Sequence, residues 1–119
     1  MPTLSSRLLV VTDRHQTNGR PLVPLLQRVL AVGVSMIQLR ERDLSARELV
    51  TLAREVQAVT ASARSQLLIN DRIDVALALE GVGVHLRSNS LPVHVARQLL
   101  GAQRLLGISV HAVEEGLLA

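Results

Sequence analysis

The 119-residue chain contains no cysteine, phenylalanine, tyrosine or tryptophan. Without cysteine there is no disulfide framework, no thiolate-ligated zinc or iron–sulfur site and no catalytic thiol. Without aromatic rings the chain lacks the stacking platforms that single-stranded nucleic-acid binders use. Lysine is missing as well, so all 13 Lys+Arg positions are arginine, which puts the pI near 11.3 at a formal net charge of only +3. The arginines are spread from Arg7 to Arg104 among ten carboxylates and form no stripe of the kind a nucleic acid selects. No apolar run approaches the ~18 residues of a membrane span, and the segment from Met1 to Ser6 lacks the charged start and apolar stretch of a secretory signal. A cytoplasmic protein with neither a nucleic-acid nor a membrane partner is expected.

What is present is material for a core. Hydrophobic residues make up 48 % of the chain, mostly Leu, Val and Ala, and the length suits one domain or part of one. Short, nearly continuous apolar runs at 8–12, 36–40, 67–70, 82–86 and 105–110 alternate with stretches of helical period. That is the pattern of βαβ units around a parallel sheet covered on both faces. Leu22, Leu25, Leu26, Val29 and Leu30 share one helix face, with Gly33 placed to end that helix. Ser45 and Glu48 form a Ser-x-x-Glu capping box ahead of the stripe Leu49, Leu52, Ala53 and Val56. A short third helix is predicted over 72–80, closed by Gly81, and a fourth over 92–100, closed by Gly101, with Pro92 where its missing N–H costs little. A further helical segment begins at 112–119 without a stop signal. The whole of 1–119 therefore reads as one α/β domain of about four and a half βα units, truncated at its C-terminus and short of the eight that close a barrel. Such an open sheet would leave its strand edges unpaired, so a homo-oligomer or a partner half-barrel is a further expectation.

Several polar residues fall at the carboxyl ends of the predicted strands, where parallel-sheet enzymes place their ligand contacts. Gln38 and Arg40 share one strand face, opposite Ile37 and Leu39. Arg40 and Arg42 could present forked donors to phosphate oxygens, or form a surface ion-pair cluster with Glu41 and Asp43. Asn70 could hold a phosphate or an amine, and Asp71 could bind Mg²⁺ through oxygen or simply cap the third helix. His85 shares a face with Gly83, and Ser109 with Gly107 and His111, so that three polar groups converge if the sheet curls. His111 has the pKa for general acid or base work, or for a hydrogen-bonded structural role. His15 reads as a loop residue and His94 as an exposed helix residue. No His-x-x-x-His pair, Gly-x-Gly-x-x-Gly fingerprint or Walker loop is present.

Four strings in order, Ile37-Gln38-Leu39-Arg40-Glu41-Arg42, Leu68-Ile69-Asn70-Asp71-Arg72-Ile73-Asp74, Gly83-Val84-His85-Leu86 and Gly107-Ile108-Ser109-Val110-His111, resemble the thiamine phosphate synthase and TenI (thiazole tautomerase) superfamily. Val10-Val11-Thr12-Asp13-Arg14 resembles that family's first strand. The resemblance implies a TIM (β/α)8 barrel, of which this chain would be the first part, and a role in thiamine biosynthesis with small phosphorylated thiazole and pyrimidine ligands. In the synthase branch it implies that Gln38, Arg40, Arg42, Asn70 and Ser109 hold a pyrimidine diphosphate and that Asp71 is a ligand of Mg²⁺. In the tautomerase branch it implies that His111 moves a proton. Where the synthase pattern carries Gly-Gln-x-Asp-Leu-Pro, this chain has Arg87-Ser88-Asn89-Ser90-Leu91-Pro92, so that Ser90 stands in the place of the second metal-binding Asp. That loop points to the tautomerase branch, with a synthase and a non-catalytic half-barrel or binding module as the alternatives.

Overall fold

Alternating apolar runs and amphipathic stretches give, in a computed structural model that describes residues 8–109, strands β1 (Leu9–Val11), β2 (Met36–Leu39), β3 (Gln66–Asn70), β4 (Gly83–Leu86) and β5 (Leu106–Ile108). The intervening helices are α1 (Leu22–Ala31), α2 (Ala46–Ser62), α3 (Ile73–Leu77) and α4 (Val93–Leu100), with a 3-10 turn at Arg14–Gln16. All neighbouring strands pair in parallel, in the order β1-β2-β3-β4-β5. Strand order that follows chain order, with a helix in each long crossover, is the winding of a βα barrel. The predicted continuation of the fifth strand to Val110, the helical segment at 112–119 and His111 lie outside the described residues.

The two-residue period of the strands divides their side chains between two environments. Ile37, Leu39, Leu67, Ile69, Val84 and Leu86 belong to the apolar core together with Leu22, Leu26 and Leu30 of α1, Leu49, Ala53 and Val56 of α2, and Ala96 and Leu100 of α4. The helices therefore cover one face of the sheet. Gln38, Leu68, Asn70, Gly83, His85 and Gly107 belong to the other, as the pairings Gln38↔Leu68, Leu68↔Gly83, Asn70↔His85 and His85↔Gly107 require. Two glycines on this inner face are fixed by crowding. A Cβ on Gly83 would stand 2.6 Å from the Leu105 carbonyl oxygen, and one on Gly107 would stand 2.7 Å from Nδ1 of His85.

Helix ends follow the local chemistry. The Ser45 hydroxyl accepts from the Glu48 N–H at 3.2 Å while the Glu48 carboxylate accepts from the Ser45 N–H at 2.9 Å, completing the expected capping box. Gly33 takes a φ of 98° just beyond α1, in the left-handed region that suits glycine. The third helix is shorter than the predicted 72–80. Ala78 N–H bonds Val75 O and Leu79 N–H bonds Ala76 O, the tight three-residue spacing that closes a helix, and Leu79 turns into the core. The Asp71 side chain does not cap α3, because its oxygens are taken up by partners across the strand ends. Replacing Ser45 with Ala should lower stability by about 1 kcal/mol through loss of the cap, read by chemical denaturation. An unchanged midpoint would show that packing alone holds the start of α2.

Candidate active site

At the carboxyl ends of the strands the inner-face polar residues form two hydrogen-bonded pairs set side by side in a band. Asn70 Nδ2 donates to Gln38 Oε1 at 2.8 Å, and both residues are buried. Asn70 sits in register with His85 on β4. His85 Nε2 lies 2.7 Å from the Ser109 hydroxyl, with the tautomer deciding which atom carries the proton. Gln38, Asn70, His85 and Ser109 thus run from β2 to the end of β5, and three of these four residues are ones the sequence nominated for ligand binding. Burial holds the His85 imidazole below its ordinary value of 6.5, which favours the neutral form of the ring beside Ser109.

A second layer of charge lies on the rim of this band. Glu41 is buried, and its carboxylate accepts from the Thr12 hydroxyl at 2.6 Å, from the Arg14 N–H at 3.0 Å and from Arg14 Nε at 2.9 Å. Thr12 Oγ1 in turn accepts from the Arg40 N–H at 3.1 Å, so one acid ties the end of β1 to the end of β2. The outer arm of Arg14 binds Asp43, which His15 Nε2 also approaches at 3.0 Å. These bonds hold the Asp43 carboxyl below its usual range, first through Arg14 and then through His15.

The ion-pair cluster expected for Arg40 and Arg42 therefore belongs to Arg14 instead. The acids beside Arg40 and Arg42 are already spent on the neighbouring strand end. Among the described residues, neither Arg40 nor Arg42 has an ion-pair partner within 4 Å. Partial desolvation, then the like charges of Arg40 and Arg87, pull the Arg42 guanidinium below its ordinary value. Arg40 and Arg42 line one cavity of about 210 Å³, and Arg42 lines an adjoining one of about 190 Å³ with Asn70, Asp71, Arg72 and Arg87. Another hollow, of about 490 Å³ between α1 and α2, is lined by residues such as Gln27, Ala58 and Ser62 and, among the described residues, by no titratable group.

Asp71 occupies a strained point on this rim. Its φ is 64°, a region that side-chain-bearing residues adopt rarely and that recurs at ligand sites. One carboxylate oxygen accepts from the Ser90 hydroxyl and the other lies 3.5 Å from Arg87 Nη2, while Ser90 Oγ accepts from the Arg87 N–H at 2.8 Å. Mg²⁺ asks for near-octahedral oxygen donors, commonly one or two carboxylates with substrate phosphates and water. Here the single carboxylate is shared with a hydroxyl and a guanidinium, and no three acidic or histidine groups among the described residues are grouped to hold a metal. That donor set is a poor fit to a divalent cation. Arg87 and Ser90 were invisible as partners of Asp71 in the sequence, where 16 residues or more of chain separate them; the one available sign was an arginine placed directly after β4.

The sequence model of the family described as thiamine monophosphate synthase matches residues 8–119. A Geobacter sulfurreducens protein provisionally named a thiamine-phosphate synthase is 48 % identical over 111 residues, which is 93 % of this chain and 52 % of that protein. A thiamine-phosphate synthase of Clostridium novyi (strain NT) is 40 % identical over 114 residues, 96 % of this chain and 56 % of the relative. Among solved structures, a thiamine phosphate pyrophosphorylase from Pyrococcus furiosus matches with a TM-score of 0.82 at 30 % identity, over 92 % of this chain and 52 % of that one. The chain spans about half the length of the curated relatives it matches.

The depressed His85 value fixes a direction of pH dependence. On acidification the unfolded chain takes up the His85 proton first, at its ordinary value near 6.5, while the folded chain resists it. The stability held above that value is therefore lost as pH falls through the lower folded value. Unfolding titrations between about pH 7 and about pH 5 should show a shallower decline for His85→Gln than for the unaltered chain. Equal slopes would remove His85 as the cause.

Proposed function

Because the chain belongs to the thiamine monophosphate synthase family, we propose that it carries the pyrimidine-diphosphate side of a thiamine-phosphate synthase site. The observation that carries this reading is the coincidence, at one end of the sheet, of the buried Gln38–Asn70 amide pair with Arg40 and Arg42, which have no ion-pair partner among the described residues. The names of the relatives also support a synthase over the tautomerase branch to which the loop at 87–92 pointed.

The chemistry asked of these residues is electrostatic. The bond between the pyrimidine methylene carbon and the diphosphate oxygen breaks, leaving a pyrimidine cation and pyrophosphate. The thiazole nitrogen then forms the new C–N bond with its lone pair, giving a thiazolium, and no proton needs to move in that step. Negative charge grows on the departing diphosphate, so donors fixed beforehand at that point lower the barrier. Arg40 and Arg42 are suited to meet those oxygens with planar, forked N–H groups. Gln38 and Asn70, oriented by their mutual hydrogen bond, are suited to hold the polar edge of the pyrimidine ring, and Ser109, oriented by His85, to add a further donor. The thiazole phosphate is the second substrate on this reading, and none of the residues just named is assigned to it.

A second reading keeps the tautomerase branch. It is favoured by Ser90, whose hydroxyl stands where the synthase pattern has a carboxylate and binds Asp71 instead. The two readings separate in one assay. Given the pyrimidine diphosphate and the thiazole phosphate, the protein should release pyrophosphate and form thiamine phosphate. Arg40→Ala, at an exposed position, should lower kcat/KM by about 100-fold while leaving the fold intact. Isomerisation of a thiazole carboxylate phosphate without pyrophosphate release would instead establish the tautomerase.

A further inference from the structure

Arg87 raises a question that the synthase reading leaves unanswered. Its Nε is buried and has no hydrogen-bond partner among the described residues, which makes it an orphaned donor there. Its Nη2 stands 3.5 Å from Asp71, close enough to neutralise the carboxylate but long for a hydrogen bond, so the fork of N–H groups is not saturated by that contact. Arg42 lines the same cavity of about 190 Å³ as Arg87. Two guanidinium groups lining one small cavity repel each other and favour an anion between them, and the fall in the Arg42 value, owed first to desolvation and then to Arg40 and Arg87, includes that repulsion. The other charges lining the cavity are already matched. Glu41 is held by Thr12 and Arg14, Arg72 by Asp74, and Asp71 by Ser90 and Arg87.

We infer that Arg42 and Arg87 form an oxyanion clamp that takes a phosphate or diphosphate group without a divalent cation. The Arg87 guanidinium supplies beside Asp71 the positive charge that a metal ion would otherwise bring. Ser90 completes the arrangement by binding Asp71 through its hydroxyl and fixing the Arg87 backbone through the N–H bond it accepts. This rests on the synthase reading only for the identity of the anion as a diphosphate; the clamp itself requires just a doubly or more highly charged oxyanion of that size.

The test is calorimetric titration of the chain with inorganic pyrophosphate, once in excess EDTA and once with Mg²⁺. Pyrophosphate should bind in EDTA, and Mg²⁺ should not tighten it. Arg87→Gln should weaken binding in EDTA by about tenfold or more, with Arg87→Lys between the two, since a point charge keeps the attraction but loses the fork. Ser90→Asp, by placing a second carboxylate beside Asp71, should make pyrophosphate binding rise with Mg²⁺. Binding by the unaltered chain only when Mg²⁺ is present, no binding in either condition, or unchanged affinity in a folded Arg87→Gln variant would each overturn the clamp. Failure of the synthase reading looks different: pyrophosphate still binds in EDTA through Arg87, yet no thiamine phosphate forms from the two precursors. Product formation together with strictly Mg²⁺-dependent pyrophosphate binding would leave the synthase and remove the clamp.

Discussion

In a parallel sheet whose crossovers all return over the same face, side chains that alternate along each strand are sorted once and for all. Odd positions of β2, from Ile37 to Leu39, go to the helices, and Gln38 goes to the other side. A slip of one residue in any strand would send its apolar set to the inner face and bring Gln38 or Asn70 against the helices, a cost the core does not allow. Register and core burial thus together hold the polar band in place. Once Gln38, Asn70 and His85 must share the inner face, their hydrogen bonds follow from proximity, and Gly107 leaves room for the His85 ring.

Charge at the strand ends is arranged by a similar exclusion. Glu41 and Asp43 lie next in sequence to Arg40 and Arg42, yet both acids are engaged by Arg14 from the neighbouring strand end. Glu41 is also bound by Thr12, so its charge is committed to joining β1 to β2. The consequence is functional. Arg40 and Arg42, without acid partners among the described residues, can offer their donors to a ligand's oxygens, whereas arginines saturated by neighbouring carboxylates could not. Asp71 follows the same logic in reverse, since Ser90 and Arg87 satisfy it and leave the rim positive rather than negative.

Much of this architecture was legible in the residues themselves. The five strands lie within a residue or two of their predicted spans wherever they are described, and the capping box at Ser45 and Glu48 forms as written, because both depend on local periodicity and short-range bonding. Gln38, Asn70 and Ser109 were conspicuous as polar residues at strand ends after apolar runs, and the family resemblance of the strings around them supplied their role as a ligand-binding set. What could not be read was which charges pair. Arg14 reaches Glu41 across 27 residues and Ser90 reaches Asp71 across 19, and a chain with 13 chemically equivalent arginines gives no local sign of which one goes where. The length of α3 and the left-handed turn at Asp71 were hidden for the same reason, being set by what the loop meets rather than by what it contains.

The placement of an anion site at the carboxyl ends of the strands is tested most directly by backbone amide NMR shifts of the isotope-labelled chain during titration with pyrophosphate. Shifts should concentrate at 40–42, 70–72, 87–90 and around Ser109, the segments that the parallel order brings to one rim. Shifts confined to the opposite ends of the strands, or to the hollow between α1 and α2, would contradict that placement.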